Sequence, residues 1–282
     1  MKTPRLLSAV WVSLVLAAAG ILPAAAELPN LTEPPWLGRF AVFANTRYQF
    51  TVDSQGAVIH LTPLTDKREP VAANLAIPVQ MAIEELTPDG KFTVKQIDPA
   101  SLQSTQPATD KLAKVVITGK FTGGGAFEAT IEQSRGTILM GGRVTDPGTL
   151  KNTPRFAISA KIPPLYPNAK KATDKKAEAA HAKKVASDHV TVKGIDGKHR
   201  KIALDKRVDS SSADLTGTGL VSAEIDTTAY SGKKCLFVAS PNSMLTLKNE
   251  GGGPLSEGLL IHWESDKAKD PEGKARFALE VK

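Results

Sequence analysis

Short apolar runs that alternate with polar residues recur along almost the whole 282-residue chain, and no other feature limits its fold so tightly. Tyr48, Phe50 and Val52 alternate with Gln49 and Thr51; a turn follows at 53–56, and Ala57, Ile59 and Leu61 resume the period of two. Side chains spaced in this way share one face of a strand, so the pair reads as a hairpin with one buried face. Arg39 to Ala44 forms a short strand before it, and further strands are expected over 79–86, 91–97, 113–121, 127–132, 137–144 and 155–162. A second series covers 190–192, 201–204, 220–225, 234–239, 244–247, 259–263 and 276–281. Asp196-Gly197, between the first two of these, is the strongest hairpin cue, because it suits a tight turn that needs positive φ. No amphipathic helical period competes, so the expected fold class is all-β, with two β-sandwich-like domains.

The series are divided by NAKKATDKKAEAAHAKKVASDH, residues 168–189, in which Val185 is the one large apolar side chain among seven alanines and six lysines. Such a composition buries too little surface to offset the entropy of ordering, which marks a linker, helical or disordered. Capped by Asn168, it would make a helix about 30 Å long. The expected organisation is a signal peptide over 1–26, an extended lead-in over 27–37, a β-sandwich domain over 38–166, a Lys/Ala-rich linker over 167–188 and a smaller β-rich domain over 189–282.

The net charge of +7 suggests a polyanion binder until the charges are located. Residues 168–207 hold twelve basic and five acidic side chains, whereas the rest of the chain after the leader holds 22 and 24. Attraction to an envelope polysaccharide or other anionic polymer would therefore be local, through Lys170, Lys171, Lys175, Lys176, Lys183, Lys184, Lys198, Arg200 and Lys201. No aromatic residues interleave with them to stack on bases, so no specific nucleic-acid partner is expected. A basic start, an apolar run from Leu6 to Leu22 and Ala24-Ala25-Ala26 read as a cleavable secretory signal, giving a secreted or periplasmic protein with no transmembrane segment after cleavage. Cys235 is the sole cysteine and lies in an apolar run, so the fold must rest on hydrophobic packing without disulfides.

Catalytic patterns are missing. The five histidines (60, 181, 189, 199, 262) lack zinc-site spacing, with His60 and His262 at outward-alternating strand positions. Gly123–Gly125 and Gly217–Gly219 fit neither a phosphate loop nor a dinucleotide loop, no G-x-S-x-G occurs, and neither metal nor cofactor is expected. Carboxylates remain, since a glycosidase needs only two facing across a cleft. Glu84 and Glu85 adjoin and point to opposite strand faces, while Glu128, Glu132, Glu224, Asp226, Glu257 and Glu264 are scattered. Trp36 and Trp263 are the candidates for stacking on a glycan. A weak internal repeat matches 136–161 with 258–282 and would place Phe156 and Phe277 against a core. The sequence thus favours an exported binding or structural protein of the cell envelope. The alternatives are a carbohydrate-active enzyme or its accessory sandwich module, and polyanion binding through the linker.

Overall fold

The computed structural model describes residues 28–55, 58–166, 175–208, 219–249, 253–266 and 269–282. The expected signal peptide, Asn168, Lys170 and Lys171 lie outside them. The strands are β1 (Arg39–Ala44), β2 (Tyr48–Asp53), β3 (Ile59–Pro63), β4 (Ile77–Leu86), β5 (Phe92–Lys95), β6 (Lys114–Phe121), β7 (Gly125–Ser134), β8 (Thr137–Asp146), β9 (Pro154–Ile162), β10 (His189–Gly194), β11 (His199–Ala203), β12 (Leu220–Asp226), β13 (Lys234–Ala239), β14 (Ser243–Asn249), β15 (Leu259–Ser265) and β16 (Phe277–Val281). Each overlaps a run that the sequence marks out as a strand. The one α-helix among the described residues is α1 (Lys175–Ser187).

All of these strands join one antiparallel sheet in the order β1-β2-β3-β4-β9-β15-β14-β12-β13-β16-β8-β7-β6, with β5 added to β4, and β10 with β11 added to β12. The expected pair of sandwich-like domains therefore has to be redrawn. β9, before residues 167–188, pairs with β15 after them, and β8 pairs with β16. In the repeat, the first strand of each copy thus lies beside the second strand of the other. The sheet folds over on itself: Phe127 of β7 packs on Phe156 of β9 with centroids 6.1 Å apart, and Trp263 of β15 on Phe277 of β16 at 6.3 Å. Neither pair comes from neighbouring strands. Gly142 of β8 permits the close approach, because a Cβ there would meet the Phe156 ring at 2.7 Å. One buried cluster runs from Leu28 to Val281 through both halves of the chain. Cys235 is buried within it, as its run implies, and burial drives its thiol pKa far above the usual range.

The segment over 167–188 does not hold two bodies apart, because its ends meet. Asp188, 2% exposed, accepts hydrogen bonds from Tyr166 Oη, from Thr227 Oγ1 at 2.5 Å and from the Thr228 amide at 3.1 Å. Tyr166 and Asp188 thus meet on the sheet, although 21 residues, α1 among them, separate them in sequence. Val185, its one large apolar side chain, is buried and fixes the last turn. Lys183 and Lys184 are exposed on α1, as are Lys198 and Lys201 on the β10–β11 hairpin; Arg200 bonds Asp196 at 3.0 Å. Among the described residues no helix is long and apolar enough to cross a membrane.

Cleavage within α1 should leave two fragments that co-elute in native gel filtration, because β15 stays bonded to β9. Fragments that separate without denaturant would contradict the shared sheet. Asp188→Ala should lower stability by about 3 kcal/mol in a denaturant titration, since it strips partners from buried donors.

Candidate functional site

Register places an unusual set of side chains on the outer face of β4, β9 and β15. Glu84 lies opposite Arg155, and His262 lies opposite Ser159. Glu264 shares the face with His262 because the two are two residues apart on one strand. Their intervening neighbour Trp263 points the other way into the core, as do Ile83 and Phe156. Opposite faces of the same three strands thus carry an apolar core and a charged cluster.

Arg155 is the centre of that cluster. Its Nε and Nη2 donate to Glu84 Oε2 at 2.8 and 2.7 Å, and its Nη1 pairs with Glu264 Oε2. Its guanidinium also lies 3.5 Å from the centroid of the Phe92 ring on β5, a cation–π contact. His262 sits behind, 3% exposed, with Nε2 3.5 Å from Glu84 Oε2 and 3.7 Å from Glu264 Oε2, and Nδ1 3.0 Å from Ser159 Oγ. Burial opposes the charge on Glu84, but the His262 and Arg155 contacts outweigh it and hold its pKa down at about 2. Burial likewise disfavours imidazolium at His262, yet Glu264 and Glu84 outweigh it and raise its pKa. With His262 protonated, two cations face two carboxylates and the buried group is neutral, the condition for tolerating charge away from water.

Glu84, His262 and Glu264 could also present one nitrogen and two oxygens to a cation, their ligand atoms lying within 4.8 Å of one another. Arg155 already engages the same Oε2 atoms, so the chain supplies the compensating positive charge itself. Glu85 faces the other way and positions a loop: Lys95 lies 2.7 Å from it, and the Asn152 amide donates to it at 3.0 Å. The Lys95 contact and that amide hold the Glu85 pKa below the ordinary value.

The cluster floors an open cleft of about 740 Å³. Arg155 and Glu264 reach its surface, with Asn152, Lys151 and Asp266 around them and Leu86, Phe92 and Met244 as apolar walls. Leu86, Phe92 and Met244 are exposed by 44%, 43% and 36%. A hollow of about 350 Å³ continues the cleft past Met244 and Asp266 to Ile195, another exposed apolar side chain. Four of the seven large apolar residues exposed among the described residues therefore gather here, and such gathering marks a binding surface where scattered ones would not.

The sequence candidates fare unequally. Trp263 is fully buried and stacks on Phe277, so it is core and not a glycan platform. His262 is not outward in the solvated sense, because the ion-pair cluster covers it. Trp36 is half-buried and lines a different groove of about 510 Å³. Of the scattered acids, Glu264 joins Glu84, whereas Glu128 pairs with Arg143 at 3.6 Å, and Glu224 and Asp226 with Lys234 at 3.4 and 2.8 Å. Among the described residues, none of the expected basic residues lines the cleft; Arg155 and Lys151, which do, stood out by no motif.

No protein-family model matches the chain, and no curated protein matches it. Among solved structures, it is similar to the Slr1438 protein of Synechocystis sp. PCC 6803, at 9% identity and a TM-score of 0.44 over 85% of this chain and 94% of that one. A putative aldose 1-epimerase from Escherichia coli K12 gives 10% and 0.46, over 86% and 98%. An alpha-N-acetylgalactosaminidase from Bifidobacterium bifidum gives 11% and 0.48, over 86% of this chain and 36% of that one. Likeness at this level carries no statement about activity or ligand.

The cluster makes stability depend on pH from both sides. Glu84 has a lowered pKa, so its contribution is complete above pH 4.5 and disappears as pH falls towards about 2. His262 has a raised pKa, so its contribution is present below pH 6.5 and fades as pH rises through the folded value. Glu84→Gln should cost up to about 3 kcal/mol near neutrality and almost nothing at pH 2 in urea titrations. An equal cost at both pH values would contradict the ionised cluster.

Proposed function

We propose that the chain is an exported saccharide-binding protein of the cell envelope, and that the cleft over β4, β9 and β15 takes the sugar. The gathering of exposed Leu86, Phe92, Met244 and Ile195 around the fixed Arg155–Glu264 pair carries this reading. Saccharides present apolar ring faces edged by hydroxyls. The apolar walls suit the faces, while a guanidinium and a carboxylate side by side suit a pair of adjacent hydroxyls, one accepting and one donating.

Binding is favoured over hydrolysis by the arrangement of the carboxylates. A glycosidase general acid keeps its proton through a raised pKa, and Glu84 is held at about 2. Glu84 and His262 are also outside the cleft lining, behind Arg155 and Glu264. A second reading, attraction to an anionic polymer, is favoured by the exposure of Lys183, Lys184, Lys198 and Lys201.

Isothermal titration with a panel of mono- and oligosaccharides should find a ligand whose affinity falls about tenfold in Phe92→Ala or Met244→Ala, each loss being worth some 1.4 kcal/mol. Failure of every sugar to bind, or binding unmoved by both variants, would remove the cleft reading. For the second reading, retention on a heparin matrix should depend on salt and be lost when Lys183, Lys184, Lys198 and Lys201 become Gln. Equal retention of that variant would exclude it.

A further inference from the structure

The outer face of β2 and β3 carries a second polar groove, remote in sequence from the charged cluster. Gln49 of β2 lies opposite Thr62 of β3, and Thr51 lies opposite His60. The alternate residues Tyr48, Phe50, Val52, Ile59 and Leu61 are fully buried, so the four polar side chains must all point away from the core. They line a groove of about 510 Å³ together with Trp36, Arg39 and the segment from Pro70 to Ala76. The chain before β1 is what brings Trp36 there. The Leu31 amide donates to Arg39 O at 2.7 Å and the Gly38 amide to Leu31 O at 2.9 Å, fixing the lead-in as a folded-back flap whose half-buried indole overlooks the polar rows.

Three properties of the lining point to one class of ligand. Among the described residues, the side chains of half-buried Gln49, His60 and Thr62, and of Thr51, which lines the groove though only 8% exposed, make no hydrogen bond to the protein. The groove is close to uncharged: Arg39 is paired with Asp53, and burial, helped by Arg39, keeps the His60 pKa below its ordinary value, leaving an imidazole with one donor and one acceptor. Trp36 and Pro35 add flat apolar surface on one side. An aromatic plate beside neutral amide, hydroxyl and imidazole groups matches a sugar ring, which stacks by its C–H face and bonds by its edge.

We propose that this groove is a second carbohydrate-binding site, specific for a neutral oligosaccharide, with Trp36 as the stacking platform and Gln49, Thr51, His60 and Thr62 as the hydroxyl contacts. It does not depend on the cleft reading. It lies on other strands, uses other residues and is uncharged where the cleft is charged. Two sites on one rigid sheet would let the protein hold a polysaccharide at two points, raising its retention above that of either site alone.

The test is an array of neutral oligosaccharides (gluco-, manno-, galacto- and N-acetylglucosamine-containing) probed with the full chain, followed by titration calorimetry on the best-retained sugar. Trp36→Ala should weaken binding about tenfold or more, Trp36→Phe should restore most of it, and Gln49→Ala with Thr62→Ala should weaken it without changing the melting temperature. Phe92→Ala, at the cleft, should leave a full-strength site behind. No retained neutral sugar, or a sugar bound equally by wild type and Trp36→Ala, overturns the proposal. Loss caused by Phe92→Ala alone would also overturn it while leaving the cleft reading standing.

Discussion

The ladder between β9 and β15 is the contact on which the rest of the structure depends. It joins Ala157–Ile162 to Leu259–Glu264, segments about a hundred residues apart, and it sets β9 between β4 and β15. Closing so long a loop costs entropy that grows only slowly with length, and a fully paired ladder with Ile158, Ile261 and Trp263 buried beneath it outweighs that cost. The same ladder completes the site: the β4–β9 pairing sets Glu84 beside Arg155, and the β9–β15 ladder brings His262 and Glu264 to them. Fold and site are one consequence.

The cluster also shows why this face is specific. A buried ion pair gains little over apolar packing, and losing one partner is costly because the other is left uncompensated. Arg155 is the member that lysine could not replace: it spans two carboxylates with a planar fork and lays that plane against Phe92. It therefore fixes β5 relative to β9 and β15 as well as neutralising Glu84 and Glu264. Glu85, turned to the other side, ties the 151–153 loop to β4 and so sets the cleft's far wall. Both glutamates of the adjoining pair act, in different directions, as their strand geometry requires.

Much of the fold was legible because strand periodicity is local. Tyr48-Gln-Phe-Thr-Val, the Asp196-Gly197 turn and the buried run around Cys235 are readable from neighbours alone. Partner choice is not. Nothing in the composition of 167–188 reveals that Tyr166 and Asp188 meet, so a lysine-rich segment looks like a divider between two domains. The weak repeat held the better clue, since its strands pair across copies, and its expectation that Phe156 and Phe277 face a core is met. In the site, Glu84 and Glu85 inside an apolar ten-residue strand, and His262 and Glu264 flanking an indole, were signals that these polar groups must find partners. Which partners was beyond the sequence, because Arg155 is separated from Glu84 by 71 residues. Trp263 misled because a tryptophan at a strand end serves a core and a sugar site equally well. Only the register decides.

The central claim is that one sheet spanning both halves of the chain creates the site. Differential scanning calorimetry of the chain measures this most directly. One transition with equal calorimetric and van't Hoff enthalpies is the result the shared β9–β15 ladder requires. Two independent transitions, one of them surviving when Trp263→Ala abolishes the other, would contradict it.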